Sequence, residues 1–193
     1  GVFLVEEALV AGREQGGKIA TQIYDRVLIG HVAEMLGVMT GAMELTLDYV
    51  GTREQFGKAI GSFQVIQHRM ADDSMGLEVT RSLLYETCRA FDEGRGRRAM
   101  VAALKAHASE AVLKIAKSAI QLHGAIGFAD EHDAGLFLKR AMGLSVQYGT
   151  SSEHRRRFEY LSGEEPDDSG PSKKTKRRSK KRRRSIFSGM SGS

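Results

Sequence analysis

The first proline in this chain is Pro166. Proline removes a backbone donor and clashes with the preceding helical turn, so a long stretch without it lets helices grow uninterrupted. Apolar residues in that stretch recur at helical steps of three and four. Val32, Met35, Leu36, Met39, Met43, Leu47 and Val50 form one stripe, which predicts a helix over about 18–50. Phe63, Ile66, Met70, Leu77, Leu84, Cys88 and Phe91 form a second, over about 62–93, with Ser62 as its natural N-cap. Val101, Leu104, Ala108, Ala111 and Ile115 form a third, over about 96–122. Each stripe needs a partner. Three long amphipathic helices with short connections predict an all-α, up-and-down helical bundle. The eight methionines read as adaptable core filler.

The breaks complete the layout. Gly12 to Gly17 reads as a polar loop, and Tyr49 to Gln64, with Gly51, Gly57 and Gly61, as a helix–helix connection. The pattern breaks again at Gly124 to Asp130. A shorter helix is expected over about 131–147, carrying Phe137, Leu138, Met142 and Leu144. Gly149 to Ser152 reads as a turn in which Thr150 or Ser151 caps a last helix with Arg155, Arg156 and Arg157. Residues 1–8 read as a short strand. This divides the chain into 1–17, the end of a preceding β domain with its linker, 18–162, the bundle, and 163–193, a basic tail expected to be disordered.

The net charge of +5 does not describe the body. Residues 1–163 hold 19 basic and 20 acidic side chains, and ten Lys and Arg crowd into residues 173–184. The basic balance therefore says nothing about a nucleic-acid face on the folded part, and nucleic acid is not the expected partner, although the tail alone could bind an anionic partner with strong salt dependence. The single Cys88 excludes an internal disulfide framework and suits a reducing compartment, so a cytoplasmic location is expected. No uninterrupted apolar run approaches the length of a membrane span. No H-E-x-x-H or comparable metal spacing and no G-x-G-x-x-G after a strand is present.

Three segments carry a resemblance. Arg53 to Gln64, REQFGKAIGSFQ, lies between the first two long helices; Gln121 to Phe128 reads QLHGAIGF; Tyr148 to Ser151 reads YGTS. Together, in this order and spacing, they resemble the C-terminal helical domain of the acyl-CoA dehydrogenase family over roughly residues 2–162. The resemblance implies that a helical domain and a small β domain precede this point. It implies FAD as cofactor, an acyl-CoA substrate, an electron-transfer partner protein, and a homo- or hetero-tetramer. Arg53 and Phe56 match positions that contact FAD from a neighbouring subunit, Arg53 at the pyrophosphate. Gln121, Gly124 and Ala125 match the segment approaching the adenosine half of that cofactor, where small residues admit close backbone. Thr150 and Ser152 match positions beside the flavin of the chain's own subunit.

The informative departure from the family is Tyr148. Many members carry there the Glu that removes the substrate's α-proton, work for which a Tyr of reference pKa about 10 is unsuited. Other members place the carboxylate on the first long helix, immediately before an Arg. Asp25–Arg26 is that pair here, with Asp25 the candidate base and Arg26 and Tyr148 lining the substrate. The bland alternative is a surface Asp early in a helix. His123 reads as structural. The resemblance thus implies α,β-dehydrogenation of an acyl-CoA by this chain as part of a catalytic subunit. Two other readings stand beside it: a catalytically silent subunit paired with an active homologue, as in some members acting on sterol side chains, and a non-enzymatic interaction protein with a polybasic tail.

Overall fold

The computed structural model describes residues 12–129 and 132–164. The expected N-terminal strand and basic tail lie outside these residues. Within them the chain is all-α apart from one small hairpin. Helix α1 spans Arg13–Thr52 and α2 spans Gln64–Asp92. Helix α3 spans Arg98–His123, α4 spans Asp133–Val146 and α5 spans Ser151–Glu164. Helix α3 is the axis of the bundle, packing on α1, α2, α4 and α5. Its buried Ala102, Ala108, Ala111, Ala116 and Ala119 let neighbouring backbones approach closely. The core gathers Val32, Met35 and Met39 of α1, Met70 and Leu84 of α2, Leu104, Val112 and Ile115 of α3, and Leu144 of α4.

Several local expectations are corrected. Helix α1 begins at Arg13, so most of the expected Gly12–Gly17 loop is helical; propagation of a long helix outweighs the ~1 kcal/mol that each interior glycine costs. Helix α2 is capped by Phe63 rather than Ser62, whose hydroxyl instead donates to the Ala59 carbonyl at 2.7 Å. Leu47 is 52% exposed, because Thr46 takes the buried position and satisfies its hydroxyl on the Ala42 carbonyl at 2.6 Å. Met142 is also exposed, with Ala141 and Leu144 facing inward in its place.

By length and composition α1 is apolar enough to cross a membrane. Its Val32, Met35 and Met39 are fully buried against the other helices, so part of its apolar surface is used within the bundle.

The α2–α3 connection turns tightly through Gly94 and Gly96. A Cβ on Gly96 would stand 2.3 Å from the Phe91 ring. Gly96→Ala is therefore expected to cost about 1–3 kcal/mol of stability through overpacking, measured by chemical denaturation. A neutral result would mean that the ring moves aside freely.

Candidate functional site

The connection from Tyr49 to Gln64 is more structured than a loop. After α1 ends, Glu54–Gln55 (β1) pairs antiparallel with Lys58–Ala59 (β2), Glu54 opposite Ala59. The two turn residues, Phe56 and Gly57, have φ of +54° and +78°. Positive φ at both positions is the type I′ hairpin, whose favoured residues are Asn and Gly. A Phe there is strained, and it stands 93% exposed at the tip. Its ring meets Phe63 edge-on at 6.2 Å, and Lys58 Nζ lies 4.3 Å above the Phe63 ring. Arg53 stands exposed at the base of the hairpin, its main chain locked by its amide to the Tyr49 carbonyl and its carbonyl to the Ile60 amide, both at 2.8 Å.

The Gln121–Ala125 segment lies at the same end of the bundle. Tyr49 donates to the His123 carbonyl at 3.3 Å and its ring stacks on His123 at 4.3 Å. His123 is buried, with Nδ1 2.7 Å from the Ala119 carbonyl, and burial pushes its pKa down. These contacts pin the end of α3 and leave Gln121, Gly124 and Ala125 exposed beyond it. Gly124 has φ +65°, with nothing within 4 Å of where a Cβ would stand. His132 caps α4, its Nδ1 accepting from the Ala134 amide at 3.2 Å.

Tyr148 lies at the opposite end. Tyr24 donates to the Tyr148 carbonyl at 2.8 Å, so α1 reports both ends. From Tyr24 to Tyr49 is 25 residues of one helix, about 37 Å at 1.5 Å per residue. Tyr148 has φ +59°; among the described residues it and Phe56 are the non-glycine positions with positive φ. His31 meets its ring edge-on at 5.1 Å. His154 Nε2, 2.9 Å from the Tyr148 carbonyl, donates the second bond to that oxygen. Thr150 caps α5: its amide and hydroxyl donate to Glu153 Oε2 at 2.7 and 2.9 Å, and the Glu153 amide returns to Thr150 Oγ1 at 3.4 Å. This reciprocal pair is a capping box, and the Thr150 amide, then its hydroxyl, holds the Glu153 carboxyl below its ordinary pKa. Ser152 is exposed one residue into the helix.

Asp25 is not a surface residue. It is 2% exposed, and its carboxylate receives Arg157 Nη2 from α5 on one oxygen and faces Arg98 Nε at 3.4 Å on the other. Arg157 also stacks its guanidinium 4.9 Å from the Tyr24 ring, which connects Asp25 to the Tyr148 turn. Arg26 is exposed and lines, with Asp25, Phe91 and Gly94, a cleft of about 330 Å³. Each oxygen of the Asp25 carboxylate thus has a guanidinium neighbour.

Sequence reading missed Tyr24, His31, Lys105, His154 and Arg157. Lys105 left a signal: it sits four residues after Val101, on the stripe of α3, where a charge has no business unless partnered.

The geometry describes a helical domain with a strained, exposed residue at each end, Phe56 and Tyr148. The family description "Acyl-CoA dehydrogenase, C-terminal domain" matches residues 14–158. The chain belongs to the acyl-CoA dehydrogenase family. It is 37% identical over 144 residues to acyl-CoA dehydrogenase IpdE2 of Mycobacterium tuberculosis, covering 75% of this chain and 44% of that protein. Butyryl-CoA dehydrogenase from Megasphaera elsdenii superposes with a TM-score of 0.78 at 27% identity, covering 81% of this chain and 41% of that one. The ChsE4–ChsE5 complex from Mycobacterium tuberculosis superposes with a TM-score of 0.73 at 26% identity, covering 77% and 41%. The chain thus spans less than half the length of these relatives.

Proposed function

We propose that this chain is the C-terminal portion of a flavin-dependent acyl-CoA dehydrogenase and contributes to two flavin sites, one from each end of the bundle. The observation that carries this is the 37 Å or so between the hairpin end and the Tyr148 end, longer than one dinucleotide spans. One cofactor cannot touch both ends of one chain, so the ends serve different copies in a homo- or hetero-tetramer.

The residues fit FAD. An exposed aromatic ring at Phe56, an exposed guanidinium at Arg53 and open space above Gly124 suit an adenine, a pyrophosphate and a close backbone approach. Gln121 and Ala125 border the same space. At the other end Thr150, whose hydroxyl is engaged in the capping box, and the exposed Ser152 would stand beside the flavin, and Arg26 and Tyr148 would border the acyl chain. FAD, when bound, supplies the acceptor for the β-hydride of an acyl-CoA thioester whose α-proton is removed; an electron-transfer partner protein reoxidises it.

The base is the point at which two readings part. Asp25, if it is the base, acts with Arg157 and Arg98 beside its carboxylate. Because both oxygens are engaged and Tyr148 occupies the position of the usual Glu, a silent subunit paired with a catalytic homologue is the second reading. The interaction-protein reading rests on tail residues outside those described. The experiment is flavin bleaching: full-length, flavin-loaded protein is mixed with a panel of acyl-CoA thioesters. Bleaching by one of them supports a catalytic chain. Bleaching only after a homologous partner chain is added selects the silent subunit. A full-length protein that carries no flavin in either case overturns both.

A further inference from the structure

The Tyr148 turn is held from beneath by a charge that the proposed chemistry does not use. Lys105, on α3, is fully buried. Its Nζ donates to Ser109 Oγ at 2.8 Å, to the Gly149 carbonyl at 3.1 Å, and to the carbonyls of Leu144 and Ser145, both at 3.4 Å. No carboxylate is among these partners. A buried ammonium is costly unless its donors are met, and these oxygens meet them. Leu144 and Ser145 lie in the last turn of α4, where carbonyls lack intrahelical partners and the helix dipole is negative. Gly149 lies just beyond Tyr148, whose φ of +59° side chains rarely adopt. The ammonium therefore ties the end of α4 to the strained turn. His31 Nε2 lies 2.9 Å from the Leu144 carbonyl, and Tyr24 and His154 hold the Tyr148 carbonyl, so the turn is gripped on every side by polar hydrogen.

We propose that Lys105 is the positioning residue of the Val146–Thr150 turn: by holding the carbonyls of Leu144, Ser145 and Gly149, its ammonium keeps Tyr148 left-handed and sets where Tyr148 and Thr150 stand at the flavin end. That last step rests on the proposed function; the grip itself does not. The ionisable groups facing Lys105 are His31 from α1 and His154 from α5, with Glu153 and Arg157 beside His154; α4 contributes only carbonyls. Burial lowers the Lys105 pKa to about 8 and pushes that of His154 down. The ammonium therefore prevails at neutral pH and can be titrated without unfolding the carboxylate pairs. Neutral Lys105 has one donor fewer for the same four acceptors.

The test is amide hydrogen exchange on the full-length protein without flavin, comparing wild type, Lys105→Met and Ser109→Ala. Methionine fills the volume but leaves three carbonyls without their donor. Lys105→Met is expected to exchange about tenfold faster at residues 147–150, with the buried amides of α1 and α3 unchanged. The gap from wild type is expected to narrow as pH rises through about 8. Ser109→Ala, which frees one side of the ammonium, is expected to give a smaller increase in the same place. Wild-type protection of the turn in Lys105→Met would overturn the proposal. So would a uniform loss across all helices, or a gap constant from about pH 7 to 9, which would assign the effect to the alkyl stem. If Lys105→Met does not fold, Ser109→Ala decides, and an unchanged turn overturns the proposal. The absorbance of flavin-loaded wild type is read separately: absence of flavin defeats the proposed function and leaves the exchange result standing.

Discussion

Asp25→Ala is expected to destabilise the domain by about 3 kcal/mol, whatever it does to turnover. Breaking a buried ion pair by removing one partner costs about 3–5 kcal/mol, because a charge is stranded in a poorly solvated place. Asp25 is 2% exposed, while the Arg157 side chain is 18% exposed and that of Arg98 48%. Arg157 is the stranded partner; Arg98 reaches solvent, and pairs of that kind contribute only about 0–1 kcal/mol. The lower end of the range is therefore the right one. Arg98→Ala alone should cost less than about 1 kcal/mol. The double change Asp25→Leu with Arg157→Leu should recover much of the loss, since well-packed apolar residues replace such pairs at little cost. Equilibrium denaturation of the four proteins separates these cases. One further variant, Asp25→Asn, decides the role of Asp25. If Asp25→Asn abolishes turnover while stability holds, the carboxylate is the base. If stability falls and the full-length protein was inactive alone, the carboxylate is the clasp between α1, α3 and α5.

Arg53→Ala is expected to weaken flavin binding about 10–100-fold and to leave stability within about 0.5 kcal/mol of wild type. The first figure follows from the proposed contact of Arg53 with the pyrophosphate, since a charged hydrogen bond of that kind contributes about 1.5–3 kcal/mol. The second follows from exposure: the Arg53 side chain stands in solvent, and only its main chain is used by the hairpin. Arg53→Lys keeps the charge but not the paired donors, so its affinity should fall between the two. Flavin fluorescence titration of the full-length apoprotein measures all three. Equal affinities would remove the hairpin from the pyrophosphate.

What the sequence made legible was what periodicity encodes. Val32, Met35, Leu104 and Ile115 fall on stripes and are buried, so the long helices and their bundle could be read directly. Leu47 and Thr46 show the limit: a stripe says which side is apolar, but a hydroxyl that can bond back one turn can take the buried place. The hairpin was illegible because its turn holds Phe56-Gly57 instead of Asn-Gly, and strain of that kind is visible only in the backbone. The resemblance pointed to Arg53, Phe56, Gln121 and Gly124, and the fold brings these to one end. It pointed to Asp25 as well, yet the partners of that carboxylate lie 73 and 132 residues away in the chain, at Arg98 and Arg157, beyond the reach of local pattern. Lys105 left its signal on the stripe of α3, but what it holds was hidden, since three of its four acceptors are main-chain carbonyls that carry no side-chain signature.

The claim that both ends of one bundle serve different flavins is tested most directly by flavin content across oligomeric fractions. Full-length protein would be separated by size, and bound flavin measured by absorbance in each fraction. The account predicts flavin in dimers or larger assemblies and none in monomers, because each site needs the hairpin of one copy and the Tyr148 end of another. Flavin bound tightly to a monomer would contradict it.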